Sequence, residues 1–362
     1  MNYISWSKIQ VNPTNMQQNC PRDTQVALPP PLADAEAARR DMAGVALRTP
    51  LLPAPALSEM LGREVLLKME TMQPSRAFKL RGAATAIARL NPAARAKGVV
   101  CCSTGNHGRA VAYAAQQSGI RAVVCLSELV PPNKVAAIEA LGAEVRRIGR
   151  SQDEAAVEVA RLVAEEGMTD IPPFDHPDIM AGQSTIALEM LEDRPDLAHL
   201  VLQLSGGGLA GGMARVAKAM NPAIRITGVS MQHGAAMAAS LKAGRPVDVD
   251  EPHSLADSLG GGIGLHNRFT FAACRDHIDD HWTVSEAEIY RAMQTLYYRE
   301  RLVSEGGAVA GLAALLAGLD GSGPVGLVIT GDAVDMAQFN AIMAGQDVTL
   351  GETILKGQPW QL

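Results

Sequence analysis

The stretch GVVCCSTGNHGRAVAYAAQQSGIRAVVCL, residues 98–126, reads as a strand, a helix and a second strand. Its first and last segments are short apolar runs, and the segment between them has a helical pattern. Short apolar runs that alternate with longer helices are typical of parallel strands covered on both faces. The stretch therefore predicts an α/β fold.

The same alternation extends in both directions, from about residue 64 onward. A Ser-x-x-Glu capping box at residues 285–288 marks the start of one later helix. The other predicted strands are EVLLKM, EVRRI, LVLQL, AIRITGVS and PVGLVIT, and the other predicted helices are KLRGAATAIARL, NKVAAIEALG and DEAAVEVARLVAEE, with more near 179–193, 208–220, 286–300 and 307–318.

The pattern suggests two domains. We expect residues 98–172 to form a small mobile domain, and residues 31–97 together with 173–362 to form a larger one. Residues 1–30 have neither the basic start nor the apolar core of a signal peptide, so we expect a disordered leader.

Composition excludes several classes of protein. The net charge of −6 and the lack of Lys/Arg runs argue against nucleic acid as a partner. The longest apolar stretches, such as GGAVAGLAALLAGL, are too short to span a bilayer, so no membrane is expected. The five cysteines lack a disulfide-framework spacing and indicate a reducing, cytoplasmic location.

The first candidate site is STGNHGRA, Ser103–Ala110, directly after a predicted strand. A glycine between a strand and a helix lets backbone N–H groups point outward at the helix N-terminus, where they bind a carboxylate or phosphate. Ser103, Thr104, Asn106 and His107 add side-chain donors at the same place. An ordinary helix cap needs fewer polar residues, so the motif favours a binding site.

The second candidate site is LSGGGLAGG, residues 204–212, where glycines close a strand and open a helix. Such a turn is an anion cradle made of backbone amides. Gly206, Gly208 and Gly211 also fit the dinucleotide fingerprint G-x-G-x-x-G, which requires an acidic residue at the end of the next strand. That strand ends at Ser230, so a lone phosphate is favoured and an NAD-dependent oxidoreductase is the alternative.

Two further positions are ambiguous when taken alone. Thr330, in VITGDAVD, follows the last predicted strand at the edge of the sheet where ligands bind, although a plain turn explains it as well. Lys79 lies beside Phe78 in MQPSRAFKLRGAATA, residues 72–86, and by itself is most simply an exposed lysine. The eight histidines show no ligand spacing, so no metal site is predicted.

In combination and in this order, the motifs resemble the fold-type II enzymes that use pyridoxal phosphate, in particular the threonine/serine dehydratase family. The resemblance covers roughly residues 34–345 and includes GQSTIALEML, LADSLGGGIG, SEGGAVAGLAALL and ITGDAVD. LADSLGGGIGLHNRFTF is further similar to a subgroup, the hydroxyectoine-utilisation dehydratases. The resemblance implies two open, twisted, mostly parallel sheets flanked by helices, a cofactor site in the larger domain, and a homodimer.

The resemblance also implies roles for individual residues. Lys79 would form the Schiff base with pyridoxal 5′-phosphate and take the Cα proton of the substrate. Asn106 would hydrogen-bond the cofactor's phenolic oxygen, and Thr330 would face its pyridine nitrogen. The other implied residues are Phe78, Ser205, Gly206, Gly207, Gly208 and Leu209 for the cofactor, and Ser103, Thr104, Gly105, Asn106 and His107 for the substrate carboxylate.

The implied reaction is β-elimination of water from an amino acid such as L-threonine or L-serine, or one derived from hydroxyectoine, to give a 2-oxo acid and ammonia. Thr104 lies where serine racemases carry a hydroxyl opposite the lysine, so an amino-acid racemase is an alternative. The chain continues for only about thirty residues after Thr330, which is too few for the regulatory domain of biosynthetic threonine dehydratases, so we expect a catabolic role.

Three positions depart from the family pattern. Ala77 stands where the family usually has serine, and Asp332-Ala333 stands where it usually has Gly-Asn. If Asp332 faced the pyridine ring, it would change the protonation of the ring nitrogen. Ser230 replaces a glutamate that binds a divalent cation in some relatives, which again predicts no metal.

Overall fold

A computed structural model describes residues 28–103, 105–130 and 132–361. The predicted leader therefore lies almost wholly outside the described residues, and so does Thr104. The strands are β1 (Leu51–Pro53), β2 (Val65–Met69), β3 (Val99–Cys102), β4 (Ala122–Leu126), β5 (Glu144–Arg147), β6 (Thr169–Asp170), β7 (His199–Gln203), β8 (Arg225–Met231), β9 (Asp280–Val284), β10 (Val325–Ile329), β11 (Val348–Leu350) and β12 (Thr353–Leu355). The helices are α1 (Pro31–Asp41), α2 (Pro55–Leu61), α3 (Lys79–Ala88), α4 (Pro92–Lys97), α5 (Asn106–Gln117), α6 (Pro132–Glu139), α7 (Gln152–Arg161), α8 (Pro177–Asp193), α9 (Gly208–Met220), α10 (Ala236–Ala243), α11 (Thr270–His277), α12 (Glu286–Glu300), α13 (Ala310–Leu316) and α14 (Met336–Met343).

The larger sheet has six strands in the order β1-β2-β10-β7-β8-β9. All neighbouring strands run parallel except β1, which pairs antiparallel with β2 at the edge. Strands β2, β7 and β10 are buried along their whole length, as expected for a parallel sheet with helices on both faces. The carboxyl ends of β7 and β10 therefore lie side by side.

A second sheet has four parallel strands in the order β5-β4-β3-β6. The mostly parallel α/β fold inferred from residues 98–126 is confirmed, because β3, α5 and β4 follow one another as expected and Val99 pairs with Ala122. All four strands belong to the segment 98–172. The division into two domains and the mobility of this segment remain predictions.

Helices α3 and α8 approach each other so closely that only glycine fits at the contact. A Cβ atom on Gly82 would lie 3.0 Å from the carbonyl oxygen of Ile179, and one on Gly182 would lie 2.4 Å from that of Arg81. Thirteen consecutive residues of α8, from Ile179 to Leu191, are buried. Helix α3, which begins at Lys79, is thereby fixed against the centre of the protein.

A charged cluster is buried beneath α3. The Arg81 guanidinium pairs with the carboxylates of Glu70 and Glu189 at 2.8 and 2.7 Å, and Lys68 Nζ donates to the carbonyl oxygen of Thr49 at 2.7 Å and also pairs with Glu189. Two cations thus face two anions without access to water. Buried charges are tolerated only when they are paired in this way.

Other local predictions are also met. The capping box forms at the start of α12, where the Ser285 hydroxyl accepts from the Glu288 backbone N–H and the Glu288 carboxylate accepts from the Ser285 backbone N–H. The antiparallel hairpin of β11 and β12 was not predicted from the sequence. Among the described residues, no helix is long and apolar enough to cross a membrane.

Candidate active site

The predicted site residues converge on one cavity of 740 Å³. The cavity lies at the carboxyl ends of β3, β7 and β10, where ligands of open α/β sheets bind. Every predicted site residue except Thr104, which lies outside the described residues, lines it: Phe78, Lys79, Ser103, Gly105, Asn106, His107, Ser205, Gly206, Gly207, Gly208, Leu209 and Thr330.

Lys79 is the first residue of α3, and its amine lies inside the cavity rather than on the surface. Lys79 Nζ donates to the carbonyl oxygen of Pro173 at 2.7 Å and lies 5.2 Å from the centre of the Phe78 ring. Burial lowers the pKa of Lys79 from 10.5 to about 8, although the negative charge of Glu305 acts in the opposite direction. About one Lys79 amine in ten is therefore neutral at about pH 7 and able to act as a nucleophile or base.

The segment before Lys79 is tied to the segment after β10. The Phe78 N–H donates to the Thr330 carbonyl oxygen at 3.0 Å, and Ala77 forms an antiparallel bridge with Gly331. These contacts place Lys79 close to Thr330, across the end of the sheet. Ala77, which stands where the family usually has serine, is fully buried. Its methyl group needs no hydrogen-bond partner there.

The glycine turn follows β7 and starts α9, a helix of 13 residues. A Cβ atom on Gly206 would lie 2.3 Å from the Phe174 ring, and one on Gly207 would lie 2.7 Å from the end of the Met237 side chain. Gly207 also has a φ of 86°, in the left-handed region that favours glycine. The turn therefore presents bare backbone to the cavity, at a helix N-terminus suited to an anion.

The loop from Ser103 to His107 follows β3 and starts α5. The His107 ring is buried, and its Nε2 lies 2.7 Å from the carbonyl oxygen of Ile171. Burial and the nearby charge of Lys79 lower the pKa of His107 to about 3, so the ring is neutral and donates through Nε2. His107 thus anchors the loop, and the backbone N–H groups at the start of α5 are available to an anion.

Asn106 faces a buried carboxyl group in the same cavity. Its Nδ2 lies 3.1 and 2.9 Å from the two carboxylate oxygens of Glu305. Its Oδ1 is buried and has no hydrogen-bond partner among the described residues. Glu305 is only 4% exposed, and burial raises the pKa of its carboxyl group.

Asp332, which departs from the family pattern, does not line the cavity. Its carboxylate pairs with the guanidinium of Arg76, with one Nε–Oδ1 distance of 3.2 Å. Arg76 has a φ of 65°, unusual for a residue with a side chain, and this turn directs it toward Asp332. On either side of Asp332, Thr330 and Ala333 line the cavity, and Thr330 is buried.

Several residues of the cavity had no role assigned from the sequence. Glu305 lies in SEGGAVAGLAALL, and Asp257 and Ser258 lie in LADSLGGGIG, two segments that carried the resemblance. Phe174 covers the glycine turn but belongs to a loop without a distinctive pattern. The resemblance was therefore the signal that could have identified Glu305, Asp257 and Ser258.

Comparison with known proteins identifies the family. A family model described as pyridoxal-phosphate dependent enzyme matches residues 43–331. The chain belongs to the pyridoxal-phosphate dependent enzymes. The predicted cofactor, pyridoxal 5′-phosphate, and the predicted fold-type II architecture are thereby confirmed.

Individual relatives of this pyridoxal-phosphate enzyme are similar over most of its length. A Sinorhizobium fredii protein with the provisional name threonine dehydratase is 51% identical over 87% of this chain and 95% of its own. The L-threonine ammonia-lyase of Thermotoga maritima is 37% identical over 86% of this chain and 78% of its own. The structure of maize serine racemase superposes with a TM-score of 0.81 at 30% identity, covering 86% of this chain and 96% of that one.

The cavity has the groups that this cofactor requires. The glycine turn offers backbone N–H groups without side chains at the N-terminus of α9, because a Cβ atom on Gly206 or Gly207 would overlap Phe174 or Met237; such a turn suits a phosphate group. Lys79 supplies an amine whose lowered pKa suits attack on an aldehyde. Asn106 supplies a buried amide whose hydrogen bonds are incomplete among the described residues. The residues therefore fit pyridoxal 5′-phosphate.

Ser230, which takes the place of a cation-binding glutamate in some relatives, is buried at the end of β8. Its hydroxyl donates to the carbonyl oxygen of Leu204, which lies between β7 and the glycine turn. No group of three or more His, Cys, Asp or Glu residues in the described part of the chain could hold a metal ion.

Proposed function

We propose that this enzyme removes water from a hydroxy amino acid and releases a 2-oxo acid and ammonia. The observation that carries the proposal is the position of Lys79, whose buried amine shares one cavity with the glycine turn at the start of α9. The predicted lyase activity of the threonine dehydratase type is supported by the relatives at 51% and 37% identity. Bound pyridoxal 5′-phosphate supplies an electron sink for the charge that develops at the substrate's Cα.

The chain's own residues divide the remaining work. Gly206, Gly207 and Gly208 hold the phosphate through backbone N–H groups, assisted by Ser205 and Leu209. Lys79 holds the cofactor covalently between turnovers and takes the Cα proton of the substrate at Nζ. A pKa of about 8 suits this base, because a general base works best when its pKa is close to the operating pH.

The substrate carboxylate binds at the N-terminus of α5, on the residues Ser103, Thr104, Gly105, Asn106 and His107. Because the His107 side chain is occupied with the Ile171 carbonyl, its contribution is to hold the loop and to offer its backbone N–H. The substrate's hydroxyl group then leaves as water. A second water hydrolyses the released enamine to the 2-oxo acid and ammonia.

Thr330 and Phe78 line the cavity, where Thr330 would bind the pyridine nitrogen and Phe78 would contact the ring. A neutral hydroxyl at this place leaves the nitrogen largely unprotonated, which suits elimination because the negative charge at Cα is relieved quickly by the leaving group. The pairing of Asp332 with Arg76 supports this role, since it holds the Asp332 carboxylate outside the cavity.

Closure of the segment 98–172 over the substrate would exclude water from the cavity. This segment carries the carboxylate loop, so substrate binding and closure would be linked. We further propose that the enzyme is a cytoplasmic homodimer, as the resemblance to the dehydratase family implies.

The first experiment is to measure 2-oxobutanoate release from L-threonine by the purified protein with added pyridoxal 5′-phosphate. Turnover at about 1 per second or faster would establish a threonine dehydratase. Lys79→Ala should abolish turnover and the visible absorbance of the bound cofactor. Lys242→Ala, which removes an exposed lysine on α10, serves as the control and should change neither.

Two other outcomes would change the assignment. A visible cofactor band without turnover of threonine or serine would retain the chemistry and direct the search to other substrates, such as a hydroxyectoine-derived amino acid. No band at all would refute the proposal.

A racemase is the second candidate, favoured by the likeness to maize serine racemase. It would use Lys79 and Thr104 as bases on opposite faces of the substrate. Incubation of L-serine in deuterated water distinguishes the two: a racemase yields D-serine with deuterium at Cα, whereas a dehydratase yields pyruvate. Thr104→Ala should abolish racemisation, whereas it should only weaken the dehydratase activity, in which Thr104 helps to bind the substrate carboxylate.

A further inference from the structure

Glu305 is a buried carboxyl group in the cavity to which the proposed mechanism assigns no role. It lies between the Asn106 amide, at 2.9 and 3.1 Å from its two oxygens, and the hydroxyl of Ser258, which hydrogen-bonds it. Gly331 fits tightly against both residues: a Cβ atom there would lie 3.2 Å from Asn106 Nδ2 and 3.2 Å from the Glu305 carboxyl carbon. The Glu305–Asn106 pair is therefore held in place by the turn that follows Thr330.

The hydrogen bonds of Asn106 are incomplete in this arrangement. The amide group has two N–H donors on Nδ2 and a carbonyl acceptor, Oδ1. Nδ2 donates to Glu305, while Oδ1 is buried without a partner among the described residues. A buried acceptor without a donor is unfavourable, so a second arrangement that satisfies it should be readily populated.

Rotation of the amide by half a turn exchanges Nδ2 and Oδ1. Oδ1 then faces Glu305, and this contact is favourable only if the carboxyl group carries a proton to donate. Nδ2 is released from Glu305 at the same time. It becomes available to the phenolic oxygen of the cofactor, the acceptor proposed above for Asn106. Protonation of Glu305 thus satisfies both ends of the amide.

The surroundings of Glu305 favour the protonated form. Burial is the largest effect and raises its pKa, and the negative charge of Asp257 raises it as well, whereas the hydrogen bonds from Asn106, Ser258 and the Ala333 backbone N–H lower it. The other charged or titratable side chains of the cavity are the cations Lys79, Arg109 and Lys134, the histidines His107 and His253, and the anion Asp335. Lys134 lies 3.9 Å from the Asp257 carboxylate and partly offsets its negative charge.

We propose that Glu305 carries a proton in the cofactor-bound enzyme and thereby turns the Asn106 amide so that its Nδ2 is directed to the cofactor. Glu305 is then a positioning residue, which acts on the cofactor through Asn106. This inference rests on the proposed function, because it takes the cofactor to be bound in this cavity.

Infrared spectroscopy of the cofactor-bound protein tests the protonation directly. The difference spectrum between the wild type and Glu305→Gln at about pH 7 should contain the C=O stretch of a neutral carboxylic acid, since an ionised glutamate lacks this band. Asp335→Asn, which alters another carboxyl group that lines the cavity, is the control and should leave the acid band in place. A carboxylate band in place of the acid band would overturn the inference.

The effect on Asn106 is tested by cofactor affinity and by the visible spectrum as a function of pH. Glu305→Gln imitates the protonated acid because its amide can donate to Oδ1, so it should bind the cofactor within about twofold of wild type and retain the neutral-pH spectrum. Glu305→Ala should lower the affinity at least tenfold, because it removes the donor. When Asn106 is also replaced by alanine, the Glu305→Gln and Glu305→Ala variants should bind the cofactor with equal affinity.

Equal cofactor affinity for wild type, Glu305→Gln and Glu305→Ala would refute the role of Glu305 as a positioning residue. The wild-type cofactor band separates this failure from that of the proposed function. If wild type forms the visible band and the glutamate variants do not differ, only the inference about Glu305 fails. If wild type forms no band, the function itself fails.

Discussion

The ionisation of Lys79 gives the most direct test of the site, because it can be measured before any substrate is known. With a pKa of about 8, roughly one Lys79 amine in ten is neutral at about pH 7. An ordinary lysine with a pKa of 10.5 is neutral in about one molecule in three thousand at that pH. Burial in the cavity therefore raises the reactive fraction about 300-fold.

Competitive labelling of the cofactor-free protein measures this ionisation. A trace amount of acetic anhydride acetylates only neutral amines, and mass spectrometry of the Lys79 peptide gives its extent at each pH. An N-acetyl-lysine amide in the same tube serves as an unburied standard. Labelling of Lys79 should rise about tenfold per pH unit up to about pH 8 and then level off, while the standard continues to rise.

The shape of the curve matters more than its height, because burial also slows access of the reagent. A Lys79 curve that runs parallel to the standard up to about pH 10 would show an ordinary, solvated amine. That result would refute the argument that desolvation activates Lys79.

Because its pKa is lowered on folding, Lys79 also destabilises the folded, cofactor-free protein. Between pH values of about 8 and 10.5, the unfolded chain binds a proton at Lys79 and the folded chain does not, so the free energy of unfolding increases as the pH rises through this range. The cost is fully present below about pH 8 and amounts to at most about 3 kcal/mol. Lys79→Met should thus be more stable than wild type in urea near neutral pH, and the difference should disappear toward high pH. A pH-independent difference would contradict this account.

Three further predictions follow from particular contacts. Gly206→Ala should weaken cofactor binding at least tenfold in equilibrium dialysis, because the added methyl group would overlap the Phe174 ring. Gly262→Ala is the control and should bind the cofactor normally, since a Cβ atom there has its nearest neighbour at 3.9 Å. Arg81→Met should destabilise the protein in urea by about 3–5 kcal/mol, because it leaves the buried Glu70 carboxylate without its cation and Glu189 with Lys68 alone. Arg275→Met, which breaks an exposed pair, should cost less than about 1 kcal/mol. The ¹⁵N NMR signals of the His107 ring should keep the pattern of a neutral Nε2–H tautomer down to about pH 4, since the pKa of His107 is about 3. Protonation of the ring near pH 6.5 would contradict its buried contact with Ile171.

Local strand–helix units could be predicted because each depends on a short piece of chain. The segment 98–126 predicts β3, α5 and β4 since a buried strand and an amphipathic helix have different periods. The order of the larger sheet could not be predicted in this way. Strand β2 pairs with β10, which lies more than 250 residues later in the chain, and no local pattern records such a partner.

The site was predictable to the extent that it follows the ends of strands. Ser103, Ser205 and Thr330 each come directly after a strand or one residue later, and parallel strands bring their carboxyl ends to one edge. Glu305 belongs to a segment between α12 and α13, and nothing in its sequence indicates that it faces Asn106. Its burial depends on how that segment packs against the turn after β10.

The buried charges beneath α3 show why the sequence left Lys79 ambiguous. Lysine and arginine near a helix start most often face water, and this expectation applies equally to Lys79 and Arg81. In the fold, Arg81 is fully buried and Lys79 is partly buried in the cavity, but only Arg81 has paired carboxylates, so it stays charged while Lys79 loses part of its charge. Arg81 lies two residues after Lys79 and holds the first turn of α3 to α8 and to the residue after β2. Arg81, whose own charge is paired with carboxylates, therefore keeps the Lys79 amine in the cavity. The amine is reactive because it is buried without paired carboxylates of its own.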